Sequence, residues 1–177
     1  MTAVSDASPL IWLAKAGKIN LLKELFEEIV IPIEVYKEAV EEDLKHGFSD
    51  AITINECIQQ GWIKLSKLTP KDHNLMKRIS QQAFEIHPGE AQAIVIAKEM
   101  GVLLLMDESA GRAFAQAWGV KVKGTVYVIM SALRAGLLRQ TEAKDAVLTM
   151  VNKGFRLEPN LLARIIREME RIPPQTK

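Results

Sequence analysis

Short apolar runs alternate along the chain with segments whose apolar residues recur every three or four positions. Thr2–Ser5 reads as a short strand that ends at Asp6. Pro9 then suits the first turn of a helix over Leu10–Ala16, which Gly17 stops. Leu21, Leu22, Leu25 and Phe26 share one face of a helix from Ile19 to Glu28. Glu28–Pro32 is a second strand, and Pro32 opens a helix to about Asp43. A helix over Ala51–Gln60 leads into a strand-like Trp62–Leu65. Thr69-Pro70 then signals a helix to about Phe84.

The most regular unit follows. Glu90–Met100 is an Ala- and Ile-rich helix ended by Gly101, and Val102–Met106 is apolar throughout. Such a run suits a strand buried on both faces, as in a parallel sheet. Ser109–Trp118 is the next helix, Gly119–Lys123 a last short strand, and Gly124-Thr125 starts a helix to about Ala135. Amphipathic helices follow near Glu142–Asn152 and Pro159–Met169. Strands alternating with helices predict an α/β fold with a mainly parallel sheet covered on both sides. One domain is expected over residues 1–170, with 171–177 as a tail.

Composition narrows the function classes. The 177 residues are 48% hydrophobic and 25% charged, a globular balance. A net charge of +1 does not by itself predict nucleic-acid binding. Cys57 is the single cysteine, which excludes an internal disulfide and speaks against a Cys-based zinc site. No apolar run reaches the roughly 20 residues that span a bilayer, and Met1–Asp6 does not look like a signal peptide. The expectation is a soluble, cytoplasmic protein.

Chemistry is expected at the carboxyl ends of the strands, where open α/β sheets bind ligands. Asp6 and Asp107 both fall there, each just before a helix-start signal. Either could be an ordinary N-cap. Their matching places in two βα units put a shared crevice on an equal footing with the cap reading, and two carboxylates in one crevice call for a cation. Glu90 opens the helix leading into the strand before Asp107. A fourth acid belongs to the helix after Pro32, where residues 34, 38, 41 and 42 could lie near one face and periodicity does not choose among them. Carboxylates without His or Cys partners suit Mg²⁺ or Mn²⁺, and such sites hydrolyse phosphodiesters. His46, His73 and His87 lack metal-ligand spacing. Trp12, Trp62 and Trp118 read as core or interface residues.

Four segments together resemble the PIN-domain family. Ser5-Asp-Ala-Ser-Pro-Leu-Ile11 is similar to its opening motif, and Ile31-Pro-Ile-Glu-Val-Tyr-Lys-Glu38 to its second. Pro88-Gly-Glu-Ala-Gln-Ala-Ile94 resembles the third, and Leu103-Leu-Leu-Met-Asp-Glu108, followed by Arg112, the fourth. Gly124-Thr125 and Gly154-Phe-Arg156 also match an uncharacterised bacterial and archaeal PIN-like group. The resemblance implies a three-layer α/β/α sandwich and an Mg²⁺/Mn²⁺ site formed by Asp6, Glu38, Glu90 and Asp107. It also implies endonuclease activity on RNA, with Ser8 and Arg112 on the substrate side, a homodimer, and for many relatives a toxin role paired with an antitoxin protein. Two positions depart from many toxin members: Leu105 stands where they have Ser or Thr, and Glu108 follows Asp107. The rival reading is a non-catalytic nucleic-acid- or protein-binding module on the same scaffold. A phosphatase ranks last, since no second motif of that kind appears.

Overall fold

Residues one apart in the apolar runs enter different cores. Ala3, Ile29, Ile31 and Leu105 belong to one cluster of buried side chains, and Val4, Val30, Leu104 and Met106 to another. This is the pattern of a parallel sheet covered on both faces. The protein is described by a computed structural model covering residues 1–82 and 86–173.

In chain order the elements are β1 (Thr2–Ser5), α1 (Ala7–Lys15), α2 (Asn20–Leu25), β2 (Glu28–Pro32), α3 (Ile33–Tyr36), a π turn (Lys37–Glu41), α4 (Glu42–Lys45), α5 (Ser49–Gln59) and β3 (Ile63–Ser66). They continue as α6 (Pro70–Gln82), α7 (Pro88–Met100), β4 (Leu103–Leu105), α8 (Ser109–Ala117), β5 (Val122–Lys123), α9 (Thr125–Arg134), α10 (Gln140–Asn152) and α11 (Pro159–Arg171). The five strands are ordered β3-β2-β1-β4-β5 and every pairing is parallel. Side chains of α6, α7 and α8 cover one face; α1, α2, α5, α9, α10 and α11 cover the other. The sandwich predicted from sequence is the fold observed.

Differences from the predicted elements are local. The apolar run at Val102–Met106 contributes only Leu103–Leu105 as strand, although the Met106 amide still donates to the Lys123 carbonyl at 2.8 Å. The last strand shrinks from Gly119–Lys123 to Val122–Lys123. The helix after Pro32 runs further than expected and is interrupted by the π turn. A wider turn takes in one extra residue, so Ala39 and Val40 are both buried while Glu38 beside them is exposed. Helix α1 starts at Ala7, because Ser8 and Pro9 fall inside its first turn rather than before it. The end expected near Phe84 for the helix after Pro70, and residues 174–177 of the expected tail, lie outside the described residues. Among the described residues, no helix is long and apolar enough to cross a membrane.

Candidate metal centre at the carboxyl ends of the strands

The strand order places the site. β1 has β2 on one side and β4 on the other, so the chain's path reverses direction between β1 and β4, and a crevice opens beyond their carboxyl ends. Ser5 pairs with Leu105, and the Asp6 amide donates to the Leu105 carbonyl at 2.9 Å. Asp6 and Asp107 therefore leave adjacent strands side by side.

Asp6 is 4% exposed, yet it makes no side-chain capping bond to α1. Among the described residues, its Oδ1 is the one buried side-chain oxygen or nitrogen without a hydrogen-bond partner. Simple capping does not explain this, since an N-cap oxygen would be satisfied by helix amides. Burial, against the opposing pull of the Ala7 amide, pushes the Asp6 carboxyl up to about 7, and the charges of Glu38, Glu90 and Asp107 add to the rise.

Asp107 is tied down on several sides. Its Oδ1 accepts from the Thr125 amide at 2.8 Å, and its Oδ2 from the Thr125 hydroxyl at 2.5 Å and from the Ser8 hydroxyl at 3.0 Å. The N-cap of α8 is Glu108, so Asp107 is not a cap. Ser8 engages Asp107 rather than Asp6. Arg112 lies behind the carboxylate, its Nη1 donating to the Met106 carbonyl at 3.0 Å. Gly124 makes this packing possible, because a Cβ there would sit 2.6 Å from Asp107 Oδ1 and 2.9 Å from Arg112 Nη1.

Glu90 and Glu38 close the ring from the other helices. Glu90 is buried, and its Oε2 accepts the His87 amide at 3.1 Å at the start of α7. Burial raises its carboxyl above the usual range; the His87 amide and ring oppose the rise, while Glu108 and Glu38 reinforce it. A Cβ on Gly89 would lie 3.1 Å from Glu38 Oε2, and one on Gly111 would lie 3.5 Å from Glu90 Oε2. Missing side chains at these two glycines let α7 carry Glu90 between Glu38 and α8.

Asp6, Glu38, Glu90 and Asp107 thus line a single cleft of about 720 Å³. Ser8 and Glu108 line it too. A second hollow, about 880 Å³, lies at the amino ends of the strands around Thr2, Val102 and Lys121, and among the described residues it has no carboxylate on its wall. Trp12, Phe155 and Arg156 also line the acidic cleft, and the sequence motifs assign them no chemistry. A single clue in the sequence pointed to the last two, the Gly154-Phe-Arg156 match, which carried no chemistry of its own.

The donor set fits a hard divalent cation. It consists of carboxylate oxygens, and the orphaned Asp6 Oδ1 is the kind of atom a cation would satisfy. The ring is open rather than already closed on one point: among the described residues, no three Asp, Glu, His or Cys side chains are gathered tightly enough to hold an ion as they stand.

The chain is thus a parallel α/β sandwich whose central strands β1 and β4 end at a cleft lined by acids. The sequence model of the DUF3368 family, described as a PIN domain, matches residues 2–171, and the chain belongs to that family. PIN domains are generally nucleases and typically use divalent metals. The fold is also similar to that of a PilT N-terminus domain protein from the hyperthermophilic archaeon Sulfolobus solfataricus P2. The two share 18% identity with a TM-score of 0.50, over 75% of this chain and 94% of that one. No curated protein matches the sequence.

Proposed function

We propose that the chain is an Mg²⁺- or Mn²⁺-dependent endoribonuclease with Asp6, Glu38, Glu90 and Asp107 as its metal-site acids. The observation that carries this reading is the unpartnered, buried Oδ1 of Asp6 amid three further carboxylates. A bound divalent ion supplies an activated water and neutralises charge on a phosphodiester oxygen. Asp6, through its unpartnered Oδ1, would be among the residues that hold the ion. Asp107 is oriented by Thr125 and Ser8, so its position is set before any ion arrives. Glu90, with Oε2 taken by the His87 amide, has Oε1 to accept the proton of the attacking water. RNA as substrate, a toxin role opposed by an antitoxin, a homodimer and a place on the substrate side for Ser8 and Arg112 belong to the same proposal and come from the family resemblance.

The test is isothermal titration of Mn²⁺ into wild type and into the Asp6→Asn/Asp107→Asn double variant, with cleavage of single-stranded RNA and DNA measured beside it. Binding and EDTA-sensitive RNA cleavage by wild type alone is the expected result. Equal cleavage by the folded double variant would end the proposal.

A second reading, a non-catalytic binding module on the same scaffold, is favoured by the near-neutral net charge of +1 and by Leu105 standing where many toxin members have Ser or Thr. It predicts RNA or protein binding without Mn²⁺ uptake.

Thr125→Val separates positioning from ligation. Thr125 is fully buried, so valine fits its space, but Asp107 Oδ2 loses its 2.5 Å hydroxyl partner. The expected outcome is a Mn²⁺ affinity lower by about tenfold to a hundredfold, the range for losing an outer partner of a ligand. Titration calorimetry reads it, and unchanged affinity would show that Ser8 and the Thr125 amide suffice.

A further inference from the structure

Arg156 stands alone as a guanidinium on a wall otherwise crowded with carboxylates. Asp6, Glu38, Glu90, Asp107 and Glu108 line the same cleft. Among the described residues Arg156 has no ion pair or hydrogen bond with any of them, and its side chain is exposed. An arginine whose role was only to balance the acids would pair with one, because bidentate Arg–carboxylate contacts are the favoured geometry at short range. Its five N–H donors are instead left for an anion that comes from outside.

The loop that carries Arg156 is built to hold it there. Helix α10 ends in a tight turn: Gly154 has φ +106, its amide donates to the Val151 carbonyl at 3.0 Å, and the Phe155 amide donates to the Met150 carbonyl at 2.9 Å. Two contacts then fasten the loop to α1. The Phe155 and Trp12 rings pack with centroids 5.3 Å apart at 58°, and Lys153 Nζ donates to the Lys15 carbonyl at 2.7 Å. Trp12 is itself steadied by Lys15, whose ammonium lies 5.0 Å from the ring centroid. Since α1 begins directly after Asp6 and carries Ser8 in its first turn, the loop, Asp6 and Ser8 are all referenced to one helix.

We infer that Arg156 is the cleft's phosphate anchor: it grips a backbone phosphate of the nucleic-acid strand beside the scissile one, with Phe155 and Trp12 clamping the loop that presents it. This rests on the nuclease reading above and adds to it the residue that binds the substrate. A strand entering a cleft of five carboxylates meets repulsion on every phosphate except where the cation or a guanidinium lies. One arginine on the same cleft as the acids therefore sets the strand's register without reading its bases.

The experiment uses a fluorescein-labelled single-stranded oligoribonucleotide. Anisotropy in Ca²⁺ buffer is followed over a range of salt for wild type, Arg156→Ala and Arg156→Lys, and Mn²⁺ cleavage is measured on the same proteins. Arg156→Ala is expected to weaken binding about tenfold and to make the slope of log K against log salt shallower by about 0.7, the share of one phosphate contact on a single strand. Arg156→Lys should keep the wild-type slope. In cleavage, Arg156→Ala should raise KM about tenfold while kcat stays within about twofold. A merely structural loop residue would leave the salt slope unmoved. Wild-type cleavage with an unchanged slope and KM in Arg156→Ala overturns the anchor and leaves the nuclease reading intact. A wild type that neither binds nor cleaves the oligonucleotide overturns both.

Discussion

Asp6→Asn is expected to abolish metal-dependent cleavage and, in the metal-free protein, to make the fold more stable. Both effects come from the same carboxylate. Asp6 is buried with one oxygen unpartnered, and its carboxyl is lifted from 3.8 to about 7 by burial and by three acidic neighbours. In the unfolded chain the group ionises near 3.8, so between that pH and about 7 the folded state binds more protons than the unfolded one. Stability therefore falls as pH rises through this window and levels off above it. The loss is on the order of 4 kcal/mol at about 1.4 kcal/mol per pH unit.

Asparagine carries no charge and escapes that loss. Chemical denaturation at pH 8 should show the metal-free variant several kcal/mol more stable than wild type, with the gap mostly closed at pH 5. Saturating Mn²⁺ should raise the melting temperature of wild type and leave the variant unmoved. Cleavage should drop by more than about a hundredfold, beyond the usual effect of losing an outer partner of a ligand. A pH-independent gap, or equal stabilisation of both proteins by Mn²⁺, would contradict a metal-holding role for Asp6.

Gly124→Ala is the second large effect. The backbone at Gly124, φ −106 and ψ −177, is open to any residue, so the consequence is purely one of space. The added Cβ would sit 2.6 Å from Asp107 Oδ1 and 2.9 Å from Arg112 Nη1, and 3.6 Å from the Met106 carbonyl oxygen. Asp107 cannot swing away cheaply, because Oδ1 is held by the Thr125 amide and Oδ2 by the Thr125 and Ser8 hydroxyls. Overpacking of this kind costs about 1–3 kcal/mol, and the displaced carboxylate should lower both Mn²⁺ affinity and kcat by about tenfold to a hundredfold. Gly101→Ala supplies the contrast. Gly101 ends α7 at φ +66 with nothing within 4 Å of a Cβ, so that variant should lose about 1 kcal/mol and keep full Mn²⁺ affinity. Similar affinities in the two variants would mean that the fit of Gly124 against Asp107 does not matter to the site.

Much of the architecture was legible because its signals are local. Alternation of apolar runs with helix-period segments predicted the α/β sandwich. Turn residues such as Gly17 and Gly101 marked where helices stop, and each has positive φ in the structure. Element ends were less legible. The run Val102–Met106 is apolar along its whole length, yet strand pairing covers only Leu103–Leu105, since partner strand β5 is two residues long. The π turn at Lys37–Glu41 left no mark in the periodicity, because one extra residue in a turn shifts the pattern without adding any distinctive residue type.

The candidate site divides along the same line. By itself, the sequence determined that Asp6 and Asp107 end strands and that Glu90 begins a helix, because chain order and strand ends are local properties. Only the tertiary structure decided which residues meet. It set Glu38 against Gly89, turned Ser8 onto Asp107 across a separation of 99 residues, and brought Trp12 against Phe155 so that Arg156 joins the wall around Asp6. Sequence periodicity reports the face on which a residue lies. It carries no record of the packing between layers, and that packing brought these side chains to one cleft.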